Sequence, residues 1–66
     1  MEIILNGQKQ EFHKGISLMD LLKELSLTDK VMAAAVNMEI IKQDVWETHI
    51  LHDGDTLELL DFVGGG

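Results

Sequence analysis

The residues with the clearest chemical potential are the three glycines that end the sequence, Gly64, Gly65 and Gly66. Glycine loses more backbone freedom on ordering than any other residue, so a terminal glycine run normally stays mobile and adds nothing to a core. Such a tail is either inert, as a cloning remnant would be, or the loose end is itself the working part. The second alternative predicts chemistry at the C-terminal carboxylate of Gly66.

A carboxylate becomes a useful electrophile only after a good leaving group, such as AMP from ATP, is attached to it. An enzyme that performs this activation must enclose the carboxylate and the nucleotide phosphates together, and glycine lets a backbone enter a narrow channel without steric cost. A tail that becomes ordered only when bound suits a carrier that associates and dissociates repeatedly. We therefore expect a partner enzyme to use the ATP, and we expect this chain to bind no cofactor.

Other residues with chemical potential have simpler structural interpretations. Ser17 precedes an apolar helical pattern and is expected to cap it, because the sequence places no base to activate it as a nucleophile. Asp53-Gly54-Asp55 is expected to be a tight turn with its glycine at positive φ, since it lacks the further oxygen ligands of a calcium site. A zinc site built from His13, His49 and His52 is conceivable. Exposed histidines are favoured, because an extended segment would direct the last two rings to opposite faces.

Composition limits the class of protein. The 66 residues allow one domain, and a secreted domain of this size without cysteine would be unusual, so we expect the cytoplasm. Nothing in the sequence resembles a signal peptide or a membrane span. The net charge of −7, with five lysines and no arginine, argues against nucleic acid and anionic membranes as partners. It favours a partner with a basic surface.

The first half of the chain predicts a hairpin followed by one helix. Asn6-Gly7 is the strongest short hairpin signal, and it separates an alternating strand from a return strand over Gln8–Phe12. Leucines at 18, 21, 22 and 25 form one apolar stripe, which predicts an amphipathic helix over 18–26. Asp20 follows Ser17 by three residues, as in a short variant of the capping box.

The second half predicts strands and turns. The expected elements are a strand over 32–37, a β-like pair at Ile40-Ile41, a short helical turn over 44–47 capped by Asp44, an extended piece at Ile50-Leu51 and a last strand over 56–62. Trp46 is expected to fill the core. This order predicts an α+β fold of the β-grasp type, a mixed sheet of four to five strands with one main helix on one face. Residues 1–63 would form the domain and 64–66 a flexible tail.

Alternation along the strands also predicts a docking face. If Met1, Ile3, Leu5, Leu57 and Leu59 face the helix, other side chains of the same strands must face outward. This outward set is Ile4, Ala35, Glu58, Leu60 and Phe62. A contiguous apolar patch on so small a domain is more often an interface than an accident.

The whole chain resembles the ThiS family of sulfur carrier proteins, which are ubiquitin-like β-grasp proteins. The resemblance rests on motifs that occur in the same order: Asn6-Gly7, Ala35-Val36-Asn37, Ile40-Ile41, Trp46, Asp53-Gly54-Asp55 and the terminal Gly65-Gly66. One departure is Met38, where the family usually has a small or polar turn residue. Another is the third glycine, Gly64, which occupies the variable position before the terminal pair.

The resemblance implies a function in thiamine biosynthesis and two partners. A ThiF-type adenylyltransferase would adenylate Gly66, and a persulfide sulfur would then displace AMP to leave a thiocarboxylate. That species would donate its sulfur to thiazole synthase, ThiG, with Gly64 and Gly65 giving the tail its reach. The carrier itself would be no enzyme.

Two other classes of protein stay open. One is a sulfur carrier for another pathway, such as molybdopterin synthesis, whose small subunit MoaD shares the Asp-Gly-Asp turn and the diglycine but usually carries prolines before its tail. The other is a ubiquitin-like interaction module whose tail has no function. Deletion of Gly66 would separate a carrier from a module.

Overall fold

The computed structural model describes residues 1–61, so the predicted end of the last strand at Phe62, the domain boundary at 63 and the three terminal glycines lie outside the described residues. The described elements are β1 (Glu2–Leu5), β2 (Gln8–Glu11), α1 (Leu18–Glu24), β3 (Val31–Val36), β4 (Glu39–Ile41), a 3₁₀ turn (Gln43–Val45) and β5 (Thr56–Asp61). No helix in this part of the chain is long and apolar enough to cross a bilayer.

The five strands form one mixed sheet in the order β2-β1-β5-β3-β4. β1 runs parallel to β5, whereas the pairs β1–β2, β3–β4 and β3–β5 are antiparallel. The last strand of the chain is therefore the middle strand of the sheet. This arrangement, with α1 packed on one face, confirms the predicted β-grasp fold of the α+β class.

The core lies between α1 and the inner face of the sheet. Leu18, Leu21 and Leu22 are fully buried against Ile3 and Leu57. Three further residues of the predicted inward set behave as expected, since Leu5 is buried and Met1 and Leu59 pack partly buried against the core. The leucine stripe is thus core, as predicted, because one apolar helix face covers one apolar sheet face.

The start of α1 confirms the predicted cap, and its end differs from the prediction. The Ser17 hydroxyl oxygen accepts a hydrogen bond from the backbone N–H of Asp20 at 3.0 Å. The helix ends at Glu24 and not at 26, because Ser26 adopts a left-handed conformation with φ of 59°. The N–H of Leu27 then donates to the carbonyl of Leu22 at 2.8 Å, as in a Schellman motif.

Left-handed turn residues also set the bounds of the strands. β3 begins one residue earlier than predicted, at Val31, and ends at Val36 because Asn37 has a φ of 51°. β2 ends at Glu11 and not at Phe12, although the N–H of Phe12 still donates to the carbonyl of Met1 at 3.0 Å. The β-like pair Ile40-Ile41 is confirmed as part of β4.

Trp46 fills the core beneath β4, as predicted. Its side chain is 2% exposed, and its indole Nε1–H donates to the carbonyl of Ile41 at 2.8 Å. The predicted cap at Asp44 is wrong, because the 3₁₀ turn begins one residue earlier and Lys42 occupies the cap position without a side-chain hydrogen bond. The extended piece at Ile50 makes one isolated bridge with Ser17.

Candidate functional site

β5 leads the chain towards its C-terminal residues, so its neighbours decide how the tail leaves the fold. β1 pairs with β5 only at Thr56 and Leu57. β3 accompanies β5 further, through a bulge near Met32, until Val31 pairs with Asp61. The second half of β5 therefore extends past the end of β1, with a strand partner on one side.

The pairing register places four of the predicted docking residues on one face. Ile4 pairs with Thr56 and Ala35 with Glu58, and paired residues share a face of the sheet. Leu60 lies two residues after Glu58 and therefore points to the same side. We call this the outer face and define it as Ile4, Ala33, Ala35, Ile40, Glu58 and Leu60. The fifth predicted docking residue, Phe62, lies outside the described residues.

Exposure distinguishes this outer face from the core face of the same strand. Leu57 is 0% exposed, whereas Leu60 is 57% exposed. Ile40 is 68% exposed and pairs with Ala35, although the sequence did not predict it as a docking residue. The sequence carried no clear signal for Ile40, since its strand has three residues and Ile40 and Ile41 are both apolar.

A shallow groove of about 330 Å³ runs along the outer face beside β5. Its lining comes from Asn6, from the alanines of β3, from Ile40 and from residues 58–60 of β5. The lining thus combines small alanine side chains of β3 with the larger side chains of Leu60 and Ile40. Such a surface can accept an apolar side chain of a partner.

Asn6 holds the second half of β5 from the side that β1 leaves open. Its backbone N–H donates to the carbonyl of Leu57 at 2.9 Å, which is the last backbone bond of the β1 side. Its side-chain Oδ1 then accepts from the N–H of Leu59 at 2.9 Å. The side chain thus supplies one further rung of the ladder. Sequence reasoning assigned Asn6 to the turn only.

Asn37 performs a similar role at the start of β5. Its Oδ1 accepts from the N–H of Thr56 at 3.0 Å, and its backbone N–H donates to the carbonyl of Thr56 at 2.7 Å. Its Nδ2 donates to Oδ1 of Asp55 at 3.0 Å. Asn37 therefore ties the β3–β4 turn to the strand that carries the tail.

Asp53-Gly54-Asp55 is a tight turn, as predicted, with a φ of 87° at Gly54. Oδ1 of Asp53 accepts from the N–H of Glu2 at 2.7 Å, and the N–H of Gly54 donates to the carbonyl of Glu2 at 2.7 Å. Oδ2 of Asp55 accepts from the N–H of His52 at 2.8 Å. The two carboxylates accept hydrogen bonds from backbone N–H groups and, at Asp55, also from the Asn37 side chain, so they stabilise the turn.

The histidines have separate neighbours. Nδ1 of His13 lies 3.5 Å from a carboxylate oxygen of Glu24, whereas Nδ1 of His52 lies 4.0 Å from Asp55. Within residues 1–61, no group of three or more His, Asp or Glu side chains is placed to hold a metal ion. What the described residues offer is an exposed sheet face with apolar side chains, beside a strand that is held on both sides.

A larger cavity of about 500 Å³ lies at the opposite end of the sheet. Met1, Lys14, Ile50 and Asp53 are among its lining residues. β1 and β5 run parallel, so the start of β1 lies at the end of the sheet that is far from Asp61. This cavity is therefore remote from Asp61, the last described residue.

A helix on a five-stranded mixed sheet, with the C-terminal segment leaving from the middle strand, defines a ubiquitin-like β-grasp protein. The model of the ThiS family matches residues 3–66. The chain therefore belongs to the ThiS family.

Relatives and solved structures agree with this assignment. The chain is 32% identical to the sulfur carrier protein ThiS of Escherichia coli, over the full length of both chains. The crystal structure of a thiamine biosynthesis protein, ThiS, from Geobacter metallireducens superposes with a TM-score of 0.84 at 25% identity, covering 100% of each chain.

A second kind of relative is a longer protein. The chain is 32% identical to part of the thiazole synthase of Paramagnetospirillum magneticum, over all of its own 66 residues. It spans 20% of that protein's length.

Proposed function

We propose that this chain is the sulfur carrier of a thiamine biosynthesis pathway and that the sulfur is bound at the carboxyl group of Gly66. The observation that supports this best is the family match, which covers residues 3–66 and so includes the glycines at 64–66. A carrier of this kind is a co-substrate of its partner enzymes. The reaction would take place in the cytoplasm.

The proposed chemistry begins at the carboxylate of Gly66. A ThiF-type adenylyltransferase joins it to the α-phosphate of ATP, and pyrophosphate leaves. The terminal sulfur of a donor persulfide then attacks the carbonyl carbon and AMP leaves. A thiol cleaves the resulting acyl disulfide, which gives the thiocarboxylate on Gly66 and a disulfide on the donor. On thiazole synthase the sulfur passes to the acceptor molecule, the bond between carbon and sulfur breaks, and an oxygen atom from water or from the acceptor restores the carboxylate.

The contribution of the fold to this chemistry is to hold the strand that precedes the reactive terminus in a fixed position. β5 is held on both sides, by β1 and Asn6 on one side and by β3 on the other. Five residues separate Asp61 from the end of the sequence, and an extended chain of that length reaches about 17 Å. That reach suits delivery of the terminus into a deep active site, while Gly64 and Gly65 keep the tail narrow.

The outer face is the proposed docking surface for these partners. It has an apolar groove with Glu58 beside it, and the net charge of the chain is −7. An apolar centre with charged neighbours is typical of a transient protein interface. A partner with an apolar contact and a basic rim would complement it.

Intact mass spectrometry tests the sulfur-carrier proposal. The chain, with its native C-terminus, is incubated with a ThiF-type enzyme, ATP and a sulfur donor. We expect the mass to rise by the difference between sulfur and oxygen. A variant that lacks Gly66 and one with an extra C-terminal alanine are the matched controls, and neither should gain sulfur. If the native chain gains no mass while it stays folded and binds the enzyme, the proposal fails. The chain would then be an interaction module whose tail has no function.

Leu60→Asp tests the docking surface. Leu60 is 57% exposed, so we expect the fold to tolerate the change. In the complex the new carboxylate would be buried against the partner, which should weaken binding by at least about tenfold. Ile50→Asp is the matched control, because Ile50 is 44% exposed but lies by the remote cavity. Binding is measured by calorimetry. Equal affinities for the native chain and Leu60→Asp would exclude this face.

A further inference from the structure

Met38 occupies a backbone conformation that suits glycine. The β3–β4 turn consists of Asn37 and Met38, with φ values of 51° and 71°. Two consecutive residues with positive φ are typical of a type I′ turn, in which glycine strongly prefers the second position. A side chain with a Cβ atom is strained there. The chain therefore loses stability by having methionine at this position.

No contact within the described residues compensates for this strain. The side chain of Met38 is 89% exposed, the highest exposure among the large apolar residues of the part of the chain that the structure describes. It is not among the residues that pack against the core. A strained residue that is retained without a structural benefit is a sign of function.

Met38 lies at the end of the outer face that is far from Asp61. Ile40, two residues on, belongs to the outer face and is 68% exposed. The turn lies beside the start of β5, where Asn37 bonds to Thr56. Five strand residues, or about 17 Å, separate this point from Asp61. A contact at Met38 would therefore hold a partner at a site well separated from the one that receives the tail.

We propose that Met38 anchors this carrier to thiazole synthase by entering an apolar pocket on that enzyme. This inference rests on the proposed function. Methionine suits such a contact because it is unbranched and polarizable and adapts to the shape of a pocket. Residues 31–55 contain five acidic residues and only one lysine, so the pocket should have basic residues at its rim.

Thiazole synthase is the partner that the relatives favour. In Paramagnetospirillum magneticum, a stretch similar to the whole of this chain forms part of the thiazole synthase itself. Linkage in one chain raises the effective concentration of the two parts, so contacts between them need little affinity. A carrier that is not joined to its enzyme would instead have to obtain its affinity from surface contacts. An exposed anchor meets that need.

The test compares two substitutions that separate strain from binding. Met38→Gly removes the side chain and the strain together. We expect Tm to rise by about 5 °C and the Kd for thiazole synthase of the same organism to increase by at least about tenfold. Met38→Leu keeps an apolar side chain and the strain, so both quantities should stay near those of the native chain. Unfolding is followed by circular dichroism and binding by calorimetry, with full-length chains.

Each other outcome contradicts a stated part of the proposal. If Met38→Gly binds thiazole synthase as tightly as the native chain does, Met38 is not an anchor. If its Tm is lower than that of the native chain, Met38 is not strained. A loss of binding confined to the adenylyltransferase would overturn the choice of partner. Sulfur gain by the native chain is measured separately. If it is absent, the proposed function itself fails, whatever the behaviour of the Met38 variants.

Discussion

The two hairpin turns of this molecule are built alike and flank the same strand. Asn6 follows β1 and Asn37 follows β3, and both have left-handed backbones, with φ values of 47° and 51°. Each side-chain Oδ1 accepts a hydrogen bond from β5, at the N–H of Leu59 in one case and of Thr56 in the other. An asparagine thus holds β5 from each side.

The two turns differ in the hydrogen bonds of the asparagine side chain and in the second turn residue. Asn37 also donates from Nδ2 to Asp55, whereas only the acceptor oxygen of the Asn6 side chain has a described role. The second turn residue is Gly7 in the first turn and Met38 in the second, with φ values of 85° and 71°. The first turn therefore has the residue its geometry requires. The second has one more side-chain hydrogen bond, to Asp55 just before β5, and it holds an exposed methionine in a conformation that disfavours it.

The largest difference in stability should appear between two single variants, in which either Asn37 or Asn6 is changed to aspartate. Asn37→Asp removes the donor to Asp55 and places two carboxylates together, so we expect it to lower the free energy of unfolding by about 2 kcal/mol. Asn6→Asp keeps the oxygen that accepts from Leu59 and should change stability by less than about 0.5 kcal/mol. Urea denaturation measures both variants. Similar losses in the two variants would show that the turns are equivalent.

Gly7→Met should lower the free energy of unfolding by about 1.5 kcal/mol, somewhat less than Asn37→Asp does. The reason is that it gives the first turn the backbone strain of the second. Nothing lies within 4 Å of a Cβ atom built at Gly7, so the loss would come from the backbone alone. The double variant Gly7→Met with Met38→Gly should be close to the native chain in stability, since distant sites are nearly additive. The midpoint of urea unfolding is the measure. A neutral Gly7→Met would contradict the account of both turns.

Asn6→Ala should lower the free energy of unfolding by less than Gly7→Met does, by about 1 kcal/mol, and the loss should be concentrated near Leu59. Hydrogen exchange of single amides, followed by NMR, is suited to this question. We expect protection of the Leu59 amide to fall more than protection of the Thr56 amide, which bonds to Asn37. Asn6→Asp is the control that preserves the bond. An equal fall at both amides would show that Asn6 stabilises the fold as a whole.

Local patterns predicted the features of the fold that depend on neighbouring residues. The Asn6-Gly7 turn, the Ser17 cap and the leucine stripe of α1 each arise within a few residues, and each is confirmed. The bounds of α1 and β3 were shifted because Ser26 and Asn37 adopt left-handed conformations, which single-residue preferences do not specify.

Contacts between distant parts of the chain were harder to predict. The bond from Leu59 to Asn6 joins residues 53 positions apart, and no local pattern indicates it. Alternation along β5 and β3 was enough to group Ala35, Glu58 and Leu60, because face assignment needs only the period of a strand. Ile40 was missed because its strand has three residues, too few to show a period.

The place of β5 in the sheet has a consequence for synthesis. β1 and β2 can form one hairpin, and β3 and β4 another, but the two are joined only through β5, which is translated after both. Isolated hairpins are marginally stable in water. We therefore expect a chain interrupted before Thr56 to remain unfolded. The residues that complete the sheet directly precede the tail, so termination before Thr56 should give no folded protein that could occupy a partner enzyme without a functional end.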